Sequence, residues 1–267
     1  MRDWDDAFNN MGHVEGSDAL PGFWAERAAS YREQVRIETD IPYGTTPREV
    51  FDLVQPDGPP RGLVVFVHGG FWMRLDKSYW SDLAEGARAQ GWAVAIPSYT
   101  LTPEARISQI TGQIGAAIEA AARQVEGPVR LVGHSAGGHL VTRMICDNSP
   151  LSGATLARVD HVLSISGLHD LRALRHTAMN DTLCLTASEA ISESPALLVP
   201  VPGPQIRVWV GGGERPEFIR QACLLDMIWD GLDARIELTV EGDHNHFTIL
   251  EGLKSPQSRI CAALIKT

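Results

Sequence analysis

The pentapeptide Gly133-His134-Ser135-Ala136-Gly137 constrains this chain more than any other stretch. It fits the pattern G-x-S-x-G. Residues of strand character, Val129 to Val132, precede it, and a run able to form a helix, Gly138 to about Asp147, follows. A strand that reverses into a helix through so short a turn holds the serine backbone in a strained conformation. Only a small residue fits two positions to either side, and Gly133 and Gly137 stand there. The turn lifts the Ser135 hydroxyl clear of the sheet edge, where a histidine can reach it. The pattern therefore predicts a nucleophile elbow and, around it, strands that alternate with helices.

The remaining sequence supplies such strands. Leu63–Val67 (LVVFV) is a continuous apolar run suited to a strand buried on both faces. Trp92–Ile96, Val159–Ile165, Ile206–Val210 and Arg235–Val240 read likewise as strands. Between them lie helical stretches. Lys77–Gln90 has Asp76 or Ser78 as its cap. Pro103–Val125 carries Ile107, Ile110, Ile114, Ala117, Ile118 and Ala121 at helical spacing. Pro216–Trp229 has a proline in its first turn, and a terminal helix starts at Phe247. Near the start, Val35–Glu38 and Val50–Val54 alternate apolar and polar, which suggests an antiparallel hairpin at a sheet edge. The order implies an α/β class: a mostly parallel sheet of about eight strands with helices on both faces. Ligands then bind beyond the carboxyl ends of the strands.

With 267 residues and 44% hydrophobic content, one domain spanning 1–267 is expected. Residues 1–34 form an N-terminal arm whose aromatics, Trp24 among them, either pack on the domain or roof a pocket. Residues 166–204 have no clear period and read as a lid-like excursion between strands. The net charge of −10 argues against nucleic acid and anionic membranes as partners. No apolar run is long enough to span a bilayer, and MRDWDDAFNN lacks the pattern of a secretory signal. A soluble, cytoplasmic protein acting on a small molecule is expected, and a homodimer is compatible with this. The four cysteines are far apart with no C-x-x-C pair, so neither a disulfide nor a cysteine metal site is expected. His244 and His246 lie two apart with no carboxylate or cysteine set to complete a metal site. No metal and no cofactor is called for.

A serine hydroxyl needs a base in hydrogen-bond reach, and the base needs a group that fixes its tautomer. In this kind of fold the chain order is serine, acid, histidine. Ser135, Glu214 and His246 follow that order. Glu214 comes after a strand and a triple glycine; Asp170, Glu217 and Asp243 are its rivals. His246 abuts Phe247 and the terminal helix; His244 is its rival. The developing oxyanion needs donors already in place. Ala136, directly after the serine, supplies one backbone N–H. Gly70 and Phe71, in the His68-Gly69-Gly70-Phe71-Trp72 segment that ends the Leu63–Val67 strand, are expected to supply the others. His68, Trp72 and Trp24 are candidates for contact with substrate, the tryptophans by flanking an aromatic leaving group.

Together these pieces resemble the α/β-hydrolase superfamily, and within it the kynurenine formamidase (arylformamidase) branch near the hormone-sensitive-lipase-like esterases. The resemblance rests on H-G-G-F-W at His68–Trp72, G-H-S-A-G-G at Gly133–Gly138, Glu214–Phe218 followed by Arg220-Gln221, and His246-Phe247. The Tyr43-Gly44 turn and the Asp5-Ala7-Asn10 opening also fit that branch. It implies Ser135 as nucleophile, Glu214 as acid and His246 as base. The branch usually carries aspartate where this chain has Glu214. It also implies cleavage of N-formyl-L-kynurenine to formate and kynurenine, or of small acyl esters of aromatic alcohols.

Overall fold

The computed structural model describes residues 2–266. In chain order the strands are β1 (Ile37–Pro42), β2 (Val50–Val54), β3 (Leu63–Val67), β4 (Ala93–Pro97), β5 (Val129–His134), β6 (Val159–Ile165), β7 (Gln205–Gly211) and β8 (Arg235–Glu241). The helices are α1 (Trp4–Phe8), α2 (Leu20–Arg32), α3 (Glu85–Arg88), α4 (Ile107–Ala122), α5 (Ala136–Arg143), α6 (Gly153–Leu156), α7 (Asn180–Leu183), α8 (Ala187–Ser192), α9 (Pro216–Asp230) and α10 (Arg259–Ile265). The eight strands form one sheet in the order β1-β2-β4-β3-β5-β6-β7-β8. β1, β2 and β4 pair antiparallel, and every pairing from β4 through β3 to β8 is parallel. This is the expected α/β architecture.

Side chains alternate across the strands, and the sheet carries a core on each face. Leu63, Val65 and Val67 of β3 point to one face, with Leu131, Val162 and Val208, where α4, α5 and α9 cover them. Val64 and Phe66 point to the other, with Val132 and Leu163, beneath Trp24 of α2, Ala87 of α3 and Leu264 of α10. Burial of β3 and β5 on both faces is why their sequences are apolar almost throughout.

The register brings the parallel strands to a common rim. Val67 pairs with Gly133, His134 with Ile165, Ile165 with Trp209, and Gly211 with Glu241. The residues that follow these ends are His68, Ser135, Ser166, Gly212 and Gly242, so segments distant in sequence emerge side by side.

Helix α4 and the hairpin lie where expected, with ends moved by a few residues. The stretch from Lys77 to Gln90 does not form the single helix expected of it. It breaks into two 3-10 turns, Lys77–Tyr79 and Ser81–Ala84, before α3. Lys77 is drawn inward to Asp40 (2.8 Å) and Asp52 (2.7 Å), and the Trp80 ring is pinned against Trp24 at 4.8 Å. Those contacts outweigh helix propensity. The terminal helix is likewise split, into a 3-10 turn at Thr248–Lys254 and α10. No described helix is long and apolar enough to cross a membrane.

Candidate active site

Ser135 sits between β5 and α5 with φ 56° and ψ −117°, a strained backbone for any residue with a side chain. The packing explains both flanking glycines. A Cβ on Gly137 would lie 1.9 Å from the Val67 carbonyl oxygen, and one on Gly133 would lie 2.1 Å from that of Gly137. The elbow is thus pressed against the end of β3. Gly69, in the loop after β3, comes so close that its Cβ would stand 2.9 Å from the Ser135 Cβ.

His246 lies in the loop after β8 and Glu214 in the turn between β7 and α9. His246 Nδ1 is 2.6 Å from Glu214 Oε2, and the carboxylate is fully buried. The carboxylate accepts, so Nδ1 carries the proton and Nε2 is left with its lone pair. The second carboxylate oxygen, Oε1, accepts from the Ser166 hydroxyl at 2.5 Å and from the Gly211 backbone N–H at 2.8 Å. Glu214 is therefore held at both oxygens. Ser166, the residue after β6 with φ 52°, carried no signal in the sequence. Its role depends on β6 and β7 being neighbours.

His134, the second residue of the elbow pattern, was also not singled out. Its Nε2–H donates to the His246 carbonyl oxygen at 2.8 Å, and the two rings lie 4.5 Å apart. Burial, and then the neighbouring His246, push its pKa well below the ordinary histidine value, so it stays neutral. Phe218 meets the His246 ring edge to face at 4.6 Å.

The rivals are placed elsewhere. Asp170 caps the 3-10 turn Leu171–His176 and pairs with Arg172 at 2.9 Å. Burial opposes its charge, but the hydrogen bonds from Arg172 hold its pKa below the usual carboxylate value. Glu217 is tied to Arg220, Gln221 and Arg2. His244 is half-buried, with Nδ1 3.3 Å from the Thr248 hydroxyl.

Ser135 and His246 line one cavity of about 470 Å³, together with Gly69, Gly70, Phe71, Trp24, Trp80, Phe247 and Met179. Ser135 Oγ makes no hydrogen bond to His246 or to any other described residue. Such bonds are often long before substrate arrives and shorten in the complex. Gly70 at φ 111° and Phe71 at φ 51° turn the loop sharply. Among the described residues, the N–H groups of Gly70, Phe71 and Ala136 donate to no backbone acceptor outside their own helix or strand.

Trp24 and Phe71 line the cavity; Trp72 and His68, also candidates for contact with substrate, do not. Trp72 is fully buried, with its ring edge-on to His139 at 5.1 Å and its carbonyl accepting from Thr102 N–H. Successive left-handed residues in the loop turn Phe71 toward the cavity and Trp72 into the core. The His68 ring is also fully buried, stacked on Tyr99 at 4.4 Å, with Nδ1–H donating to the Gly69 carbonyl. Burial brings its pKa down to about 4. It orders the loop from beneath.

Residues 64–195 match a family described as alpha/beta hydrolase fold. A crystal structure of a candidate thioesterase from a Silicibacter species has TM-score 0.93 and 45% identity to this chain, covering 99% of each. The chain belongs to the α/β-hydrolase family. This hydrolase is also similar to the kynurenine formamidase of Danio rerio, at 26% identity over 250 residues, covering 90% of this chain and 84% of the fish protein. The kynurenine formamidase of Salmo salar is 27% identical over 243 residues, covering 85% and 80%.

Proposed function

We propose that this hydrolase uses Ser135 to release a small acyl group from an aromatic amide or ester, in the manner of an arylformamidase. The observation that carries the reading is that His246, paired with the buried Glu214, lines the same aromatic-walled cavity as Ser135. Similarity to two fish kynurenine formamidases over most of the chain supports the substrate class.

The steps follow from the geometry. Ser135 Oγ attacks the acyl carbon while His246 Nε2 takes its proton. Glu214, fixed by Ser166 and Gly211, stabilises the imidazolium that forms. The N–H groups of Gly70, Phe71 and Ala136 receive the oxyanion, each donor being worth on the order of 3 kcal/mol. His246 then returns the proton to the departing amine or alcohol as its bond to the acyl carbon breaks. Water, deprotonated by His246, releases the acyl group as a carboxylic acid; for a formamide this is formate. Trp24, Phe71 and Phe247 surround the aromatic leaving group, and the excursion at 166–204 contributes Met179 to the wall.

Turnover of N-formylkynurenine compared with p-nitrophenyl acetate tests this. A kcat/KM for the formamide within about a hundredfold of the ester or above it supports the reading; an ester advantage of many orders removes the formamidase part. The 45% identity to a candidate thioesterase favours one second reading, a short-chain ester or thioester hydrolase. It predicts that acyl thioesters outrun both substrates.

A further inference from the structure

The cavity wall carries one cation, and that cation is uncommitted. Arg74 lies in the loop after β3, lines the cavity and is exposed. Among the described residues no other lysine or arginine lines it. Among those residues, too, the Arg74 guanidinium makes no hydrogen bond and no ion pair. Cations close to it in sequence or fold are already engaged: Arg48 donates to the Tyr99 and Leu75 carbonyls, and Lys77 pairs with Asp40 and Asp52. The chain has 33 acidic residues against 23 lysines and arginines, so a guanidinium with no carboxylate beside it is available to a ligand.

The root of this side chain is fixed although its tip is free. Arg74 N–H donates to the Gly70 carbonyl at 3.2 Å, and the carbonyl of the next residue, Leu75, accepts from Arg48 Nη2 at 2.5 Å. A Cβ on Gly70 would stand 3.5 Å from Arg74 Cγ. The side chain therefore starts beside the loop that carries the Gly70 and Phe71 N–H groups, and its solvent-reached guanidinium can turn over the cavity mouth. Asp5 and Asp18 of the N-terminal arm line the same cavity. Neither pairs with Arg74, and Asp5 Oδ1 already accepts from Ala178 N–H at 2.7 Å. Both repel an anion placed beside them, which leaves Arg74 as the position for a negative charge. A singly charged carboxylate suits that balance better than a doubly charged phosphate.

We propose that Arg74 is a specificity residue that pairs with a carboxylate on the aromatic leaving group. This rests on the reading that the cavity holds that group. The acyl group of the proposed reaction is small, so a charge set away from the scissile bond belongs to the leaving group. The planar guanidinium presents a fork of N–H donors that matches two carboxylate oxygens. The favoured leaving group is thus an arylamine or phenol bearing a carboxylate, in preference to its uncharged counterpart.

Equilibrium binding of product-like phenols tests this without any catalytic step. The probes are 4-hydroxybenzoate, 4-hydroxyphenylacetate and 3-(4-hydroxyphenyl)propionate, each compared with its primary amide, which keeps the shape and removes the charge. The unaltered protein should bind at least one acid about fivefold or more tightly than its amide, and which acid does so gives the spacing from ring to guanidinium. Raising the ionic strength should shrink that ratio. Arg74→Gln should bring it to about one, Arg74→Lys should keep part of it, and Arg74→Glu should turn it in favour of the amide. A merely structural Arg74 would weaken acid and amide alike and leave their ratio unchanged. A preference kept in Arg74→Gln, no acid favoured by the unaltered protein, or no binding of any probe overturns the assignment. Turnover of p-nitrophenyl acetate by the unaltered protein reads the hydrolase mechanism separately.

Discussion

Replacing Ser166 with alanine isolates how Glu214 works. Its carboxylate receives three donors: His246 Nδ1 at 2.6 Å on Oε2, and Ser166 Oγ at 2.5 Å with Gly211 N–H at 2.8 Å on Oε1. A hydrogen bond to a charged group contributes roughly 1.5–3 kcal/mol. In Ser166→Ala the Gly211 N–H remains, so Oε1 is not abandoned. Only the part of the loss that differs between neutral and charged imidazole reaches the rate. We expect about 1.4 kcal/mol, a tenfold fall in kcat. Removing Glu214 itself should cost far more, about 10⁴-fold, because His246 then loses the group that fixes its tautomer. Ser166 is fully buried and does not line the cavity, so KM should hardly move. Steady-state hydrolysis of p-nitrophenyl acetate gives both constants. An unchanged kcat, or a loss carried by KM alone, would refute the role given to Ser166.

Other outcomes follow from the same geometry. Asp170→Ala should leave kcat within about threefold and cost about 1 kcal/mol of stability through the lost cap; a loss matching Glu214→Ala would reassign the acid. Gly137→Ala places a Cβ 1.9 Å from the Val67 carbonyl oxygen and should abolish soluble expression, read against Gly112→Ala, where nothing lies within 4 Å. Four fully buried histidines predict acid sensitivity. Burial lowers His68 to about 4, His139 to about 3 and His169 to about 3, and drives His134 well down. Each binds its proton more weakly folded than unfolded, so their stabilising effect is lost as pH falls below about 6.5. Between pH 7.5 and 5.5 this costs about 1.4 kcal/mol per histidine, roughly 5.5 kcal/mol for four, opposed by Asp82 and Asp226, whose carboxyl pKa values burial raises. Thermal unfolding at fixed ionic strength should show a falling Tm across that range; a flat Tm would contradict it.

What could be read from the sequence was what short spacing controls. The elbow was legible because its two glycines stand at fixed spacing about Ser135, although only the Gly133 clash is local; the clash that Gly137 avoids is with Val67 of β3. The sheet was legible because burial on both faces makes β3 and β5 almost wholly apolar. The order serine, acid, histidine followed from the strands that carry them, and the structure places Glu214 rather than Asp170 beside His246. Ser166 and His134 could not be recognised as partners of Glu214 and His246. Those contacts cross 48 and 112 residues of chain and exist only in the folded register. The fates of Phe71 and Trp72 were hidden for a subtler reason. Both are aromatic and adjacent, and only the left-handed backbone of the loop decides which one faces the cavity. The Lys77–Gln90 helix failed because Lys77 and Trp80 find tertiary partners that a helix would deny them.

A reactive hydroxyl at Ser135 is the centre of the proposed mechanism. Treating the protein with a fluorophosphonate and measuring intact mass and the modified peptide tests it most directly. One adduct per chain on Ser135, absent in Ser135→Ala and slowed in His246→Ala, is the predicted result. Folded protein that stays unlabelled, or labelling that persists in Ser135→Ala, would contradict it.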